Sequence, residues 1–177
     1  MKQRIKTYRL VISRFFPATH PRAGEHTFFR EKIMAGLGKH EKLRKECFQV
    51  PKPNKLHTIR KNYPLWKKRI DEVNSGKAIL VLYEWAGLPY RSKTRELFRF
   101  DRDSEIGVQK LSFFGFNLNF PRAIKPGESS TNEVLALIPS NLAHNDGLSL
   151  QDFKDWFKDY DLSEPLAIIH FTKNYRY

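Results

Sequence analysis

The chain has 177 residues, the usual length of one domain that buries an apolar core without covalent cross-links. Its single cysteine, Cys47, argues against a disulfide framework or a cysteine-based zinc site, and the apolar run Leu10-Val11-Ile12 is far too short for a signal peptide or membrane span. We therefore expect one domain over residues 1–177, in a reduced, cytoplasmic protein without a membrane segment.

The net charge of +13 is concentrated in the first third of the chain. Residues 1–60 carry 15 Lys and Arg against four Asp and Glu (+11), residues 61–120 carry 11 against seven (+4), and residues 121–177 carry six against eight (−2). This asymmetry favours contact between the amino-terminal half and a polyanion, because phosphate neutralisation drives nonspecific nucleic-acid affinity. Excess Lys and Arg also serve solubility, so the charge leaves both interpretations open.

The first elements are predicted from β-branched, aromatic and proline-rich segments. Residues 7–13 have the composition of a strand, and the prolines of residues 15–24 predict a loop. Thr27 is a candidate cap for a helix that ends at Gly36. Residues 39–54 form a polar, basic connector, whose order the sequence leaves open.

In the middle of the chain, the residue pattern predicts a strand, a helix and a second strand. Residues 55–60 form the first strand, and Asn62 is the expected N-cap of a helix that Gly76 terminates. The nearly continuous apolar run of residues 78–85 predicts a buried strand, followed by the turn Gly87-Leu88-Pro89.

The last part of the chain predicts more strands and one further helix. Ser149 with Asp152 resembles a capping box at the start of that helix. The other expected segments are strands near 94–100, 107–114, 133–138 and 165–172 and a loop at 121–132. Short strands without regular strand-helix alternation favour an α+β domain, with a curved sheet or small β-barrel and about three flanking helices.

The segment Lys55-Leu56-His57-Thr58-Ile59-Arg60 is the strongest candidate for chemistry. In an extended strand, Thr58 and Arg60 point to one face while His57 points to the other. Lys55, at the edge of this strand, can turn toward the face of Thr58. An ammonium, a hydroxyl and a guanidinium together suit a phosphate, a carboxylate or a developing oxyanion. The alternative is a basic strand whose charges are simply solvated.

This segment also resembles the Gly-x-Lys-x-x-Thr-x-Arg signature of the ASCH family, whose domains are similar to the PUA-like β-barrels of RNA-modifying proteins. The resemblance extends to Tyr83-Glu84-Trp85 and to Asn145-Asp146-Gly147, and it covers most of residues 25–172. It implies a PUA-like fold. Pro53 stands at the glycine of the signature, which fixes φ there and alters the approach to the loop before Lys55.

The ASCH family includes small bacterial acetylcytidine amidohydrolases, and the resemblance implies catalytic roles for three residues. Lys55 would be the base, Thr58 the nucleophile, and Asp146 would replace the glutamate of those enzymes. Lysine can act as a base only if burial or a nearby cation such as Arg60 lowers its pKa. Asp146 is shorter than glutamate, and in Asn-Asp-Gly it has an alternative role as an ordinary turn residue.

A second group of residues is predicted to bind the ligand. Trp85, Tyr90, Arg91 and Ser92 flank the Gly87-Leu88-Pro89 turn, where aromatic faces and a guanidinium suit stacking on a base. Asn145, in the Asn145-Asp146-Gly147 part of the resemblance, is a further candidate for ligand binding. The alternative is that Trp85 ends a core strand and Arg91 faces solvent.

The sequence therefore supports two functional hypotheses. The six histidines are scattered without metal-binding spacing, so neither a metal nor a cofactor is expected. The first hypothesis is a module that binds RNA or a modified nucleotide through a basic cleft without turnover. The alternative is an amidohydrolase that removes an acyl group from N-acetylated cytidine. Protein partners cannot be inferred from these residues.

Overall fold

The computed structural model describes residues 5–39, 52–87, 89–124, 134–173 and 175–177. Most of the predicted basic connector, residues 40–51, lies outside the described residues.

The described residues form eight strands and four helices. The strands are β1 (Lys6–Ile12), β2 (His57–Arg60), β3 (Ala78–Trp85), β4 (Thr94–Phe100), β5 (Gly107–Phe113), β6 (Pro121–Ile124), β7 (Val134–Ala136) and β8 (Leu166–His170). The helices are α1 (Phe29–Gly36), α2 (Tyr63–Asn74), α3 (Pro139–Asn145) and α4 (Leu150–Phe157). Within the described residues, no helix has the length and apolar content needed to cross a membrane.

The strands form two sheets. One has the order β1-β3-β4, in which β1 is parallel to β3 and β3 is antiparallel to β4. The other has the order β2-β8-β5-β6-β7 and is antiparallel throughout. Strand β8 lies inside this sheet, and all five of its residues are buried.

The apolar core lies between the sheets and the helices. Leu10 and Ile12 of β1 and the alternate residues Leu80 and Leu82 of β3 face it. Helix α2 packs against β3, β5 and β8. It does so through the predicted apolar stripe, which consists of Trp66, Ile70 and Val73.

The predicted α+β class is confirmed, but the described strands do not close into a barrel. There are four described helices rather than about three, because α3 was not predicted. The predicted loop at 121–132 is wrong over its first four residues, which form β6. Proline is compatible with a strand when it is the first residue, and Pro121 occupies that position.

Two of the three predicted helix starts are confirmed. The side chain of Asn62 accepts a hydrogen bond from the Leu65 amide, and that of Ser149 accepts one from the Asp152 amide. The Thr27 prediction is wrong by one residue. The N-cap of α1 is Phe28, which has φ 56° and no side-chain cap, although Thr27 Oγ1 accepts from the Phe29 amide at 3.3 Å.

Candidate functional site

Three chain segments meet at Lys55. Its amide donates to the Lys32 carbonyl of α1 at 3.1 Å, and the next amide, of Leu56, donates to the Asn145 carbonyl at 2.8 Å. An isolated antiparallel bridge therefore pairs Lys55 with Asp146. The backbone alone brings these two predicted residues together across 91 positions of sequence.

Lys55 and Asp146 form a buried ion pair. Lys55 Nζ lies 2.6 Å from Asp146 Oδ1 and 2.6 Å from the Asp146 carbonyl oxygen, and it donates to both. The two residues are 2% and 4% exposed. The ammonium also lies 4.1 Å from the centre of the Phe29 ring, which adds a cation-π contact.

Gly147 allows the close packing around this pair. Its φ is +77°, and an added Cβ would lie 2.9 Å from Lys55 Cβ. Its carbonyl accepts a hydrogen bond from Lys32 Nζ at 2.7 Å. The Asn-Asp-Gly segment is therefore both the turn after α3 and part of the site, so the two roles considered for Asp146 do not exclude each other.

Burial lowers the pKa of Lys55 from 10.5 to about 8, because it outweighs the charge and hydrogen bond of Asp146 that act in the opposite direction. The nearby cations Arg60 and Lys32 lower it further. For Asp146, burial raises the pKa, but Lys55 and His57 lower it more, so the carboxylate stays ionised. The pair thus combines a stable anion with a lysine that loses its proton unusually easily.

A small cavity adjoins the ion pair. Its polar wall is formed by Lys55, Thr58 and Arg60, which the strand pattern had placed together, and by Asp146 and Ser13; its apolar wall includes Phe29 and Trp156. Its volume is about 10 Å³, room for a single water molecule. Entry of a nucleobase therefore requires side chains of the apolar wall to move.

The contacts of Thr58 and Arg60 differ. Thr58 is 3% exposed, and among the described residues no hydrogen bond joins Lys55 Nζ to Thr58 Oγ1. Arg60 donates to the Val11 carbonyl at 2.7 Å and to the Ile59 carbonyl at 3.2 Å, so it ties β1 to β2. Its contribution to the cavity is mainly a positive charge near Lys55.

Sequence reasoning missed a second polar cluster behind the ion pair. His57 Nε2 lies 2.9 Å from the Tyr177 hydroxyl, and Asn145 Nδ2 donates to the hydroxyls of Tyr175 and Tyr177 at 2.6 and 3.0 Å. Asn145, predicted as a ligand contact, thus binds two tyrosines instead of facing the small cavity. His57 Nδ1 is 3.6 Å from Asp146 Oδ1, which is close but too long for a hydrogen bond.

Burial makes both histidines of this cluster harder to protonate. His57 pairs with His170 across β2 and β8, and their rings are 5.6 Å apart. Burial lowers the pKa of His57, and burial together with the charge of His57 lowers the pKa of His170 to about 2. Strand alternation predicts that His57 and Thr58 point to opposite faces of β2. The pairing of His57 with His170 depends on the register between β2 and β8, which no local pattern encodes.

The aromatic residues predicted for stacking do meet at the surface. The Trp85 and Tyr90 rings are 5.3 Å apart, and Tyr90 is 91% exposed with φ 61°. Trp85 is half-buried, so it ends β3 without being enclosed in the core. Tyr83, Trp85 and Tyr90 are called the aromatic surface below.

Cations surround the aromatic surface. The guanidinium of Arg9 lies 4.1 Å from the centre of the Tyr83 ring, and Arg14 donates to the Ala86 carbonyl at 2.7 Å. Arg91 is exposed, and Arg95 pairs with Glu84. Ser92 Oγ accepts from the Gly87 amide at 3.0 Å, so it shapes the turn.

Among the described residues, no group of three or more His, Cys, Asp or Glu side chains is arranged to hold a metal ion. Comparisons with family models, with curated proteins and with solved structures give no match for this chain.

Proposed function

We propose that the protein binds RNA or a modified nucleotide as a member of the ASCH family with a PUA-like domain, and that the aromatic surface is its base-stacking platform. The observation that carries this proposal is the contact between Trp85 and Tyr90, with Tyr90 almost fully exposed and followed by the exposed Arg91. Tyr90 is 91% exposed and has a left-handed backbone conformation that few non-glycine residues adopt. Exposed aromatic rings and flanking cations suit the binding of single-stranded nucleic acid, because the rings can stack on bases and the cations can contact phosphates.

The test is binding of a labelled oligoribonucleotide by fluorescence anisotropy. Tyr90→Ala and Trp85→Ala should each cost about 1–3 kcal/mol of binding free energy. Phe116→Ala is the matched control, because Phe116 is also a strongly exposed aromatic residue with positive φ in a turn. If both variants fold and bind RNA as tightly as the parent and the control, the aromatic surface is not a platform.

The second candidate function is hydrolysis of an N-acylated cytidine, and it is favoured by the cavity that Lys55, Thr58 and Asp146 share. In this reaction the neutral amine of Lys55 takes the proton of Thr58, and Thr58 Oγ attacks the acyl carbonyl. The amide bond then breaks, and the nucleoside amine leaves with the proton that Lys55 returns. Water, activated by the same amine, hydrolyses the acyl-threonine ester and releases the acid.

Two features of the site bear on this mechanism. Burial already brings the pKa of Lys55 to about 8, within the range of a general base. However, Lys55 Nζ donates to Asp146 and not to Thr58, so binding of the substrate would have to redirect the amine. Binding without turnover needs no such rearrangement, and we therefore place it first.

Turnover of acetylcytidine separates the two candidates. An amidohydrolase should keep partial activity as Thr58→Ser, because the hydroxyl survives, and lose it as Thr58→Val. Lys55→Arg should also be inactive, since guanidinium does not release its proton at neutral pH. Circular dichroism would confirm that each variant is folded. A parent protein that turns over none of a panel of acylated nucleosides, or a folded Thr58→Val with parental activity, would rule out this chemistry.

A further inference from the structure

We propose that a second site, separate from the aromatic surface, binds the phosphate group of a nucleotide. It is an open groove of about 600 Å³, well within the size of ligand pockets in proteins. It lies where the end of α1, the end of β4 and the segment after β8 meet. We call it the basic groove, defined by Lys39, Arg99, Phe100, Thr172, Lys173 and Tyr175.

Three cations from separate parts of the chain line this groove. Lys39 follows α1, Arg99 is on β4, and Lys173 follows β8. Lys39 is exposed, and its ammonium lies 5.0 Å from the Phe98 ring, with no ion pair to a described carboxylate. Convergence of cations from three segments concentrates positive potential in a way that one charged helix face does not.

Three carboxylates lie near the groove without lining it: Glu96, Glu105 and Asp101, whose Oδ1 accepts from Ser104 Oγ at 2.9 Å. Arg99 pairs with Glu96, and Lys173 pairs with Glu105 at 2.9 Å, but neither acid lines the groove. The cationic side chains of both pairs are 63% exposed. Exposed ion pairs contribute little free energy, so a phosphate with several lone pairs can replace the carboxylates without a large cost.

The end of α1 does not oppose an anion strongly. Carbonyls at a helix C-terminus are repulsive to anions when they are unpaired. Here the Leu37, Gly38 and Lys39 amides donate to the carbonyls of Ile33, Ala35 and Met34, at 2.9, 3.0 and 2.9 Å. Because those three carbonyls already accept hydrogen bonds, they repel a bound anion less than unpaired carbonyls would.

The floor of the groove suits the rest of a nucleotide. The partly exposed side chains of Leu37 and Leu56 give the groove an apolar floor. Thr172 Oγ1 is inaccessible to solvent and has no hydrogen-bond partner among the described residues. A phosphate alone would not use this apolar floor, whereas a nucleoside phosphate would cover it.

Tyr175 connects the basic groove to the ion pair. Its hydroxyl accepts from Asn145 Nδ2 at 2.6 Å, and Asn145 directly precedes Asp146. The groove therefore lies on the side of the Lys55 and Asp146 pair where Asn145 contacts Tyr175 and Tyr177. The site is tested with a mononucleotide, so the result does not depend on whether the aromatic surface binds RNA.

The test compares adenosine 5′-monophosphate, inorganic phosphate and adenosine by isothermal titration calorimetry. The mononucleotide should bind, phosphate should bind more weakly, and adenosine should not bind measurably. The double variant Lys39→Gln/Lys173→Gln should weaken binding of the mononucleotide at least about tenfold, because charge-assisted hydrogen bonds to phosphate are strong.

Lys67→Gln is the matched control, since Lys67 is also an exposed lysine in an ion pair and lies on α2, away from the groove. The proposal would be overturned if the double variant kept parental affinity, if Lys67→Gln weakened binding equally, if adenosine bound equally well, or if the parent did not bind the mononucleotide.

Competition by octauridylate identifies the source of the phosphate. If octauridylate displaces the mononucleotide, the groove binds phosphates of an RNA backbone. If it does not, the groove binds a free nucleotide.

Discussion

The carboxylate of Asp146 is the counter-charge that allows Lys55 to remain charged inside the protein. Asp146→Asn preserves the size of the side chain but removes that charge. Breaking a buried ion pair at one partner costs about 3–5 kcal/mol. Because the pKa of Lys55 is already near 8, the lysine can respond by losing its proton, and we expect a loss near the lower end of that range. Urea denaturation measures the free energy of unfolding.

Asp71→Asn provides the control for this prediction. Asp71 also lies 2.6 Å from a lysine ammonium, that of Lys67, but their side chains are about half exposed. The expected loss is less than about 1 kcal/mol, because water already screens the exposed pair. Equal losses in the two variants would show that burial does not govern the strength of the Lys55 pair.

The lowered pKa of Lys55 predicts an unusual pH dependence of stability. Between about pH 8 and 10.5, the unfolded lysine binds a proton that the folded lysine has lost, so the free energy of unfolding should rise with pH. The reference is the double variant Lys55→Met/Asp146→Asn, which removes both members of the pair and keeps the other titrating groups. The free energy of unfolding of the parent minus that of the reference, both from urea denaturation, should increase over this range by up to about 3 kcal/mol. A flat or falling difference would mean that the pKa of Lys55 is not lowered.

The turn between α3 and α4 positions the site, and Gly147 is the position where it tolerates least change. Gly147→Ala should destabilise the protein by the cost of positive φ plus the clash with Lys55. Gly24→Ala isolates the first cost, because Gly24 has φ +83° but nothing within 4 Å of an added Cβ. We expect about 1 kcal/mol for Gly24→Ala and at least about 1–3 kcal/mol more for Gly147→Ala. Thermal denaturation would compare them, and similar losses would contradict close packing against Lys55.

Local patterns predicted those elements whose sequence signals are long or strongly periodic. Asn62 and the stripe through Trp66 and Ile70 defined α2, and the apolar run 78–85 defined β3. Strand β6 has four residues and begins with proline, and α3 has seven mostly polar or small residues. Neither is long enough to show a period.

The site was predictable to the extent that it depends on neighbouring residues. Alternation along β2 places Thr58 and Arg60 on the wall of one cavity, as expected. The pairing of Lys55 with Asp146 followed only from the family resemblance, since they are 91 residues apart. The cluster of His57 and Tyr177 depends on how distant strands and the last residues pack, which the sequence does not encode locally.

At the scale of the whole molecule, the charge gradient along the chain differs from the distribution of charge in space. Strand β1 is parallel to β3 in one sheet, so Arg9 and Arg14 of the basic first third lie beside residues of the middle third. Arg91 and Arg95 approach the same sheet from the turn after β3 and from β4. Folding thereby collects cations from two thirds of the sequence around the aromatic surface.

This arrangement predicts how RNA affinity depends on salt. For single strands, the logarithm of affinity should fall with the logarithm of salt concentration by about 0.7 for each phosphate neutralised. Arg9→Gln and Arg14→Gln should each lower that slope by about 0.7 if each guanidinium contacts one phosphate. Lys67→Gln should leave the slope unchanged, because Lys67 lies on α2 and already pairs with Asp71. Fluorescence anisotropy at several salt concentrations provides the slopes. An affinity that does not vary with salt, or a slope that Lys67→Gln lowers as much as Arg9→Gln does, would mean that the cations around the aromatic surface do not bind the RNA backbone.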